Sequence, residues 1–235
     1  PLYTTVAFPG TRRRVAEFGE PARLREYREV VAWQCALTVL TLAIWLSTAR
    51  SWADLGLAMP VASRSAVLGF GIGAVLIALL IWQWRLARSG RIALDGLAEK
   101  LEGISVLIPE TPREQRWYRA VAVGAGVSEE LIWRGFLYWY FGDLLGTTTS
   151  AILVTVLFAA AHIYQGPKHL PGVLMASAAA MALRLLTGGI WVPIVVHAAT
   201  DLIHGDVARM LRRQLAGVSS EIDADTSGGP LPEKA

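Results

Sequence analysis

Two stretches without a single charged side chain, residues 30–49 and 65–84, constrain this chain more than any other feature. Each has the ~20 residues that an α-helix needs to cross the hydrocarbon core of a bilayer. A helix that is apolar on every side is stable only where lipid or protein covers it all round. The composition agrees: 54% of the residues are hydrophobic, only 17% are charged, and the mean hydropathy is +0.43. A soluble domain carries about 25% charged residues, so the excess apolar surface needs lipid.

Further apolar runs follow at residues 120–141, 147–165, 170–187 and 190 to about 210, with very short links between them. The expected fold is all-α: a polytopic transmembrane helical bundle of about six spans, with the polar signals concentrated in the last four. On this reading residues 1–29 are a cytoplasmic N-terminal segment and residues 30–210 the transmembrane domain. Residues 211–235, polar and small after Gly217, are expected to form a disordered cytoplasmic tail. The N-terminal segment carries Arg12, Arg13 and Arg14 and has no early apolar region with a cleavage site, so a cleavable signal peptide is not expected.

The distribution of basic residues orients the spans. With the N-terminus in the cytoplasm, Arg12, Arg13, Arg14, Arg23, Arg25 and Arg28, then the basic residues from Arg85 to Arg119, and finally Lys168, Arg209, Arg212, Arg213 and Lys234, lie on or beside cytoplasmic segments. Arg50 and Arg64 then occupy an outside loop, and Arg184 lies near the outer end of the fifth span. The positive-inside rule favours this arrangement and places both termini in the cytoplasm of a multi-pass inner-membrane protein. The same asymmetry assigns the pI near 9.3 to membrane orientation and not to nucleic-acid binding.

Between the second and third spans Leu94, Leu97, Leu101 and Ile104 recur at helical spacing, with Asp95, Glu99, Lys100 and Glu102 between them. Residues 92–105 are therefore expected to form an amphipathic helix, either on the membrane surface or packed on the protein as a linker. Cys35 is the only cysteine, which excludes an intramolecular disulfide, a Cys-rich zinc site and an iron–sulfur cluster. Gly69 and Gly73, a GxxxG pair, and the alanines around Ala160 and Ala179 read as close helix packing.

The third span breaks the apolar pattern. It reads Val127-Ser128-Glu129-Glu130-Leu131-Ile132-Trp133-Arg134, two carboxylates and a guanidinium in mid-helix. Each costs about 2.5–3.5 kcal/mol at a helix centre on insertion scales, so they need partners or a water-filled cavity. Glu130 and Arg134 are four residues apart and share a face. Glu129 is rotated by about 100° from Glu130 and is left to face something else. The fourth span supplies His162, and the sixth supplies His197 and Asp201 at i, i+4 spacing, with His204 continuing that stripe.

Singly, each histidine reads as a hydrogen-bonded packing residue. Jointly, three spans that each bring an ionisable group into the apolar zone point to a functional site. The set suits hydrolysis: a carboxylate to take a proton from water, an imidazole to hold that water, and a further polar face for the developing oxyanion.

Glu129-Glu130-x-x-x-Arg134, Phe158-x-x-x-His162 and His197-x-x-x-Asp201, in this order on separate spans, resemble the three-motif signature of the CPBP family. That family comprises the CAAX proteases and bacteriocin-processing enzymes, including prenyl-protein endopeptidases of the Ras-converting type and many bacterial Abi proteins. The resemblance covers about residues 120–210. It implies an intramembrane endopeptidase with its catalytic core at residues 117–210, acting on a peptide or membrane-protein substrate within the lipid bilayer. It further implies that Glu129, assisted by His162, activates water, that His197 and Asp201 stabilise the tetrahedral intermediate, and that Glu130 and Arg134 support them.

One position departs from the prenyl-protein members, which carry Asn where this chain has Asp201. An ionised Asp cannot donate a hydrogen bond to an oxyanion. Asp201 must therefore be protonated, bond to His197, or help bind a metal. Family usage calls these enzymes metalloproteases, and Glu129, His162, His197 and Asp201 are the candidate ligands for a Zn²⁺ ion. The chain has no HExxH, and the preferred reading needs no cofactor. The rival classes are a small ion-coupled transporter, whose facing helices would carry the same residue types, and a non-catalytic immunity or scaffold protein. The chain lacks the signatures of other intramembrane proteases: HExxH, a GxGD pair, and a Gly-x-Ser nucleophile paired with a late histidine.

Overall fold

The computed structural model describes residues 2–59, 62–90 and 105–227, and every regular element among them is helical. Helix α1 (Leu2–Phe18) turns at Gly19 into α2 (Glu20–Ser47), and α3 (Arg64–Arg88) follows. A 3-10 turn (Ser105–Leu107) precedes α4 (Pro112–Glu130), which runs without a break through a π-helical stretch (Leu131–Leu137) into α5 (Tyr138–Leu145). Then come α6 (Thr147–Ala161), 3-10 turns at Ile163–Gln165 and Pro167–His169, α7 (Leu170–Thr187) and α8 (Trp191–Ser227).

Local chemistry fixes where α4 begins. Thr111 caps it by accepting from Glu114 N at 3.2 Å, and Pro112 occupies the first turn, where its missing N–H is no loss. The Glu114 carboxylate returns to accept from the amides of Glu110 at 2.7 Å and Thr111 at 2.8 Å. The other Glu114 oxygen accepts from Arg23 Nε at 2.6 Å, and Tyr27 donates to the Leu107 carbonyl at 2.7 Å. The bonds of Arg23 and Tyr27 fasten the first turns of α2 to the entry of α4 across 91 and 80 positions of sequence.

Helices Glu20–Ser47, Arg64–Arg88, Thr147–Gln165 and Pro167–Thr187 are long and apolar enough to cross a membrane, and the chain is a multi-pass membrane protein. Large apolar side chains such as Trp33, Leu40, Val67, Phe70 and Trp82 are exposed on α2 and α3, where a soluble protein would place polar groups. The helices bearing Glu129, Glu130, Arg134, His197 and Asp201 are not among these four; ionisable groups in mid-helix lower their hydropathy.

α8 is the hub, packed against α3, α4 and α7. The Gly69/Gly73 pair faces Thr187 and Val192 of this same chain, so it serves packing within the bundle. At Gly126 the approach of α4 to α8 is closest to the polar residues: a Cβ there would lie 2.9 Å from Ala198 N and 3.0 Å from Ile194 O. Toward the other end, Leu55 from the α2–α3 connection is fully buried with Trp45, Leu131 and Ile190.

Two boundaries differ from the sequence reading, and one expected element is not tested. α2 begins at Glu20 instead of residue 30, because its polar first turns are buried and paired through Arg23 and Tyr27. The disordered tail expected from residue 211 is instead helical as far as Ser227. Leu211 packs with Ala87 and Val207, Arg212 pairs with Glu110, and a lone glycine at 217 costs a helix only about 1 kcal/mol. The amphipathic helix expected at residues 92–105 lies outside the described residues, apart from Ser105 at its end.

Candidate active site

The polar residues of three helices converge. Glu130, fully buried at the end of α4, places Oε1 3.0 Å from Arg134 Nη1 and 2.8 Å from His197 Nδ1 of α8. The glycine at 126, one turn earlier, allows α8 to come this near. The i, i+4 pairing of Glu130 with Arg134 read from sequence is present. Its extension to His197 depends on how α4 and α8 pack.

Arg134 is buried and has further partners. Its Nη2 donates to Ser177 Oγ of α7 at 2.9 Å and to the Ser177 carbonyl at 3.2 Å, and the guanidinium lies 4.2 Å from the Phe158 ring centroid. Phe158 is the common floor of the cluster: its ring is 4.5 Å from that of His162 and 6.2 Å from that of His197. Sequence reading quoted Phe158 only as part of a motif and gave Ser177 no role. The available signal for Ser177 was a hydroxyl standing alone in a run of alanines.

Glu129 faces the other way, as its 100° offset requires, and reaches His162 with Oε2 3.8 Å from Nε2. His162 Nδ1 is 2.8 Å from the Phe158 carbonyl. A carbonyl only accepts, so Nδ1 carries a hydrogen, and in the neutral imidazole Nε2 then presents its lone pair toward Glu129. Glu129 Oε2 and Glu130 Oε2 are buried with no hydrogen-bond partner among the described residues. Asp201 lies one turn beyond His197, Oδ2 3.7 Å from Nε2, and is partly exposed. Tyr118 of α4 donates to the Asp201 carbonyl at 3.1 Å. His204, the continuation of the stripe, is exposed.

The site therefore has two halves around Phe158. One is the Glu129–His162 pair, and the other is the chain Arg134–Glu130–His197–Asp201. Among the described residues no three His, Cys, Asp or Glu side chains are arranged to hold a metal ion. Nδ1 of each histidine is already engaged, with the Phe158 carbonyl in His162 and with Glu130 in His197.

Fold and site together define a polytopic membrane protein with a buried carboxylate–imidazole centre. Residues 116–203, which contain all six charged and imidazole side chains of the cluster, match the family model described as Type II CAAX prenyl endopeptidase Rce1-like. Over these residues the chain is similar to the CAAX proteases, a family of membrane peptidases, and the match supports that family. No curated protein and no solved structure matches the chain.

Proposed function

We propose that this protein is an intramembrane endopeptidase that hydrolyses peptide bonds with water activated by Glu129 and His162. The observation that carries the reading is the approach of Glu129 Oε2, buried and without a hydrogen-bond partner among the described residues, to His162 Nε2 at 3.8 Å, with the imidazole taken as neutral. Two acceptors at that separation suit one water molecule, which donates a hydrogen to each at ordinary hydrogen-bond length and turns an oxygen lone pair outward.

As the water oxygen attacks the scissile carbonyl carbon, its proton passes to Glu129 and negative charge develops on the carbonyl oxygen. His197 serves that charge. Glu130 sits on Nδ1 and Asp201 beside Nε2, a setting in which both nitrogens carry hydrogen and Nε2–H is the donor to the oxyanion. Asp201 thereby acts through His197, which removes the difficulty of an aspartate donating to an oxyanion itself. Collapse of the intermediate breaks the C–N bond, and Glu129 returns its proton to the leaving nitrogen. The products are a free carboxyl and a free amine. No step calls on a metal.

The substrate is a peptide or membrane protein reached within the bilayer, with the enzyme in the inner membrane and both termini in the cytoplasm. The test is mass spectrometry of peptides released in liposomes by the wild-type protein and by Glu129→Gln. Loss of the general base is expected to lower turnover by roughly 10²–10⁴-fold, and full cleavage by the variant refutes the reading. Activity is expected to survive chelation. Its loss on chelation, with recovery on adding Zn²⁺, would refute the metal-free form.

A further inference from the structure

We infer that Ser177 is a positioning residue of this site: its hydroxyl fixes the guanidinium of Arg134 and, through Arg134, the Glu130–His197 pair. The inference rests on the hydrolytic reading above for its effect on turnover, but not for its effect on His197.

A serine hydroxyl has one hydrogen to give and two lone pairs. In an apolar helix it ordinarily gives that hydrogen to its own backbone four residues earlier. Thr155, Thr187 and Thr200 do so, donating to Ala151, Leu183 and Val196 carbonyls at 2.7–2.8 Å. Ser177 is buried on α7 and instead donates across the helix interface to the Thr155 carbonyl of α6 at 3.2 Å. With its hydrogen committed there, an oxygen lone pair is aimed at Arg134 Nη2, 2.9 Å away.

A continuous run of bonds results, from the α6 backbone through Ser177 and Arg134 to Glu130 Oε1, which also holds His197 Nδ1. Without the hydroxyl, Nη2 keeps only the Ser177 carbonyl at 3.2 Å. The Phe158 face under the guanidinium attracts it without fixing its rotation. Glu130 shares one oxygen between Arg134 and His197, so a displaced guanidinium disturbs the imidazole directly. α7 carries no motif residue, and Ser177 is its contribution to the site.

The experiment uses the full chain in liposomes, labelled with ¹⁵N-histidine, as wild type, Ser177→Ala and Ser177→Thr. Solid-state spectra are assigned with His197→Gln, and His169 and His204 serve as internal references. Turnover is read with a quenched-fluorescent peptide spanning a cleavage site identified by the mass-spectrometric assay above. Ser177→Ala is expected to shift the His197 imidazole resonances and leave His169 and His204 in place. It is expected to lower kcat about tenfold with KM unchanged, the effect of one lost hydrogen bond to a charged group. Ser177→Thr, which keeps the hydroxyl, is expected to restore both.

Unchanged His197 resonances in Ser177→Ala overturn the inference. So does a shift of all four imidazoles together with a lower melting temperature, which marks a purely structural role. Glu129→Gln separates the two readings: if it retains cleavage, the hydrolytic reading fails while the His197 spectrum still decides the role of Ser177.

Discussion

His197 Nδ1 lies 2.8 Å from Glu130 Oε1, a contact between two helices whose partners are 67 positions apart. The same oxygen accepts from Arg134, so a single buried carboxylate holds one guanidinium and one imidazole. Its charge is matched by the guanidinium and its oxygen is shared with the imidazole, a pairing that allows three ionisable groups to stand in the interior of a membrane bundle.

Removing one member of that set leaves a buried charge uncompensated. Arg134→Ala is expected to destabilise the protein by about 3–5 kcal/mol, and Arg134→Lys to recover only part of this, because an ammonium cannot span Glu130 and Ser177 as a planar fork does. Thermal unfolding in detergent checks it, and an Arg134→Ala protein that melts with the wild type would contradict the burial argument.

Gly126 decides how near α8 approaches. A side chain there meets backbone atoms, Ala198 N at 2.9 Å and Ile194 O at 3.0 Å, which have no rotamer to yield. Gly126→Val is expected to push α4 from α8 and abolish turnover while the protein still inserts. Overpacking of this kind costs about 1–3 kcal/mol. Wild-type activity in a Gly126→Val preparation would show that the contact tolerates separation.

Glu114 sets a pH dependence outside the membrane. Burial alone would raise its pKa, but the Thr111 amide, the Arg23 guanidinium and the Glu110 amide outweigh burial and hold it below the ordinary carboxylate range. A folded-state pKa below the unfolded value of ~4.3 adds stability that is fully present above the unfolded value and is lost as pH falls through the folded one. The melting-temperature gap between wild type and Glu114→Gln is expected to be widest near neutral pH and to shrink at acid pH. A gap that widens on acidification would reverse the sign.

Orientation is testable separately. Reporter fusions at the N-terminus and after Arg213 are expected to report the cytoplasm, and a fusion in the turn at Gly146 the opposite side. A cytoplasmic signal from Gly146 would invert the bundle.

The membrane spans were legible because their signal is local. Residues 65–84 are apolar all round, and α3 covers them with only a few residues to spare. α7, at Leu170–Thr187, coincides with the run expected from sequence. Where an element depends on distant partners, sequence fell short: the buried turn around Arg23 and the helix at Leu211 and Arg212 are held by residues far along the chain. The π-helical stretch after Glu130 gave no recognisable sign in composition or spacing.

The site divides in the same way. Sequence by itself determined which residues carry charge into the apolar zone, that Glu130 and Arg134 share a face, and that Glu129 turns away from them, because helix geometry fixes relations within three or four residues. Only the tertiary structure decided that Glu129 meets His162, that Glu130 holds His197, and that Ser177 of a motif-free helix anchors Arg134. Those partners are set by the rotation and separation of packed helices, quantities governed by small residues such as Gly126 and by the whole bundle at once.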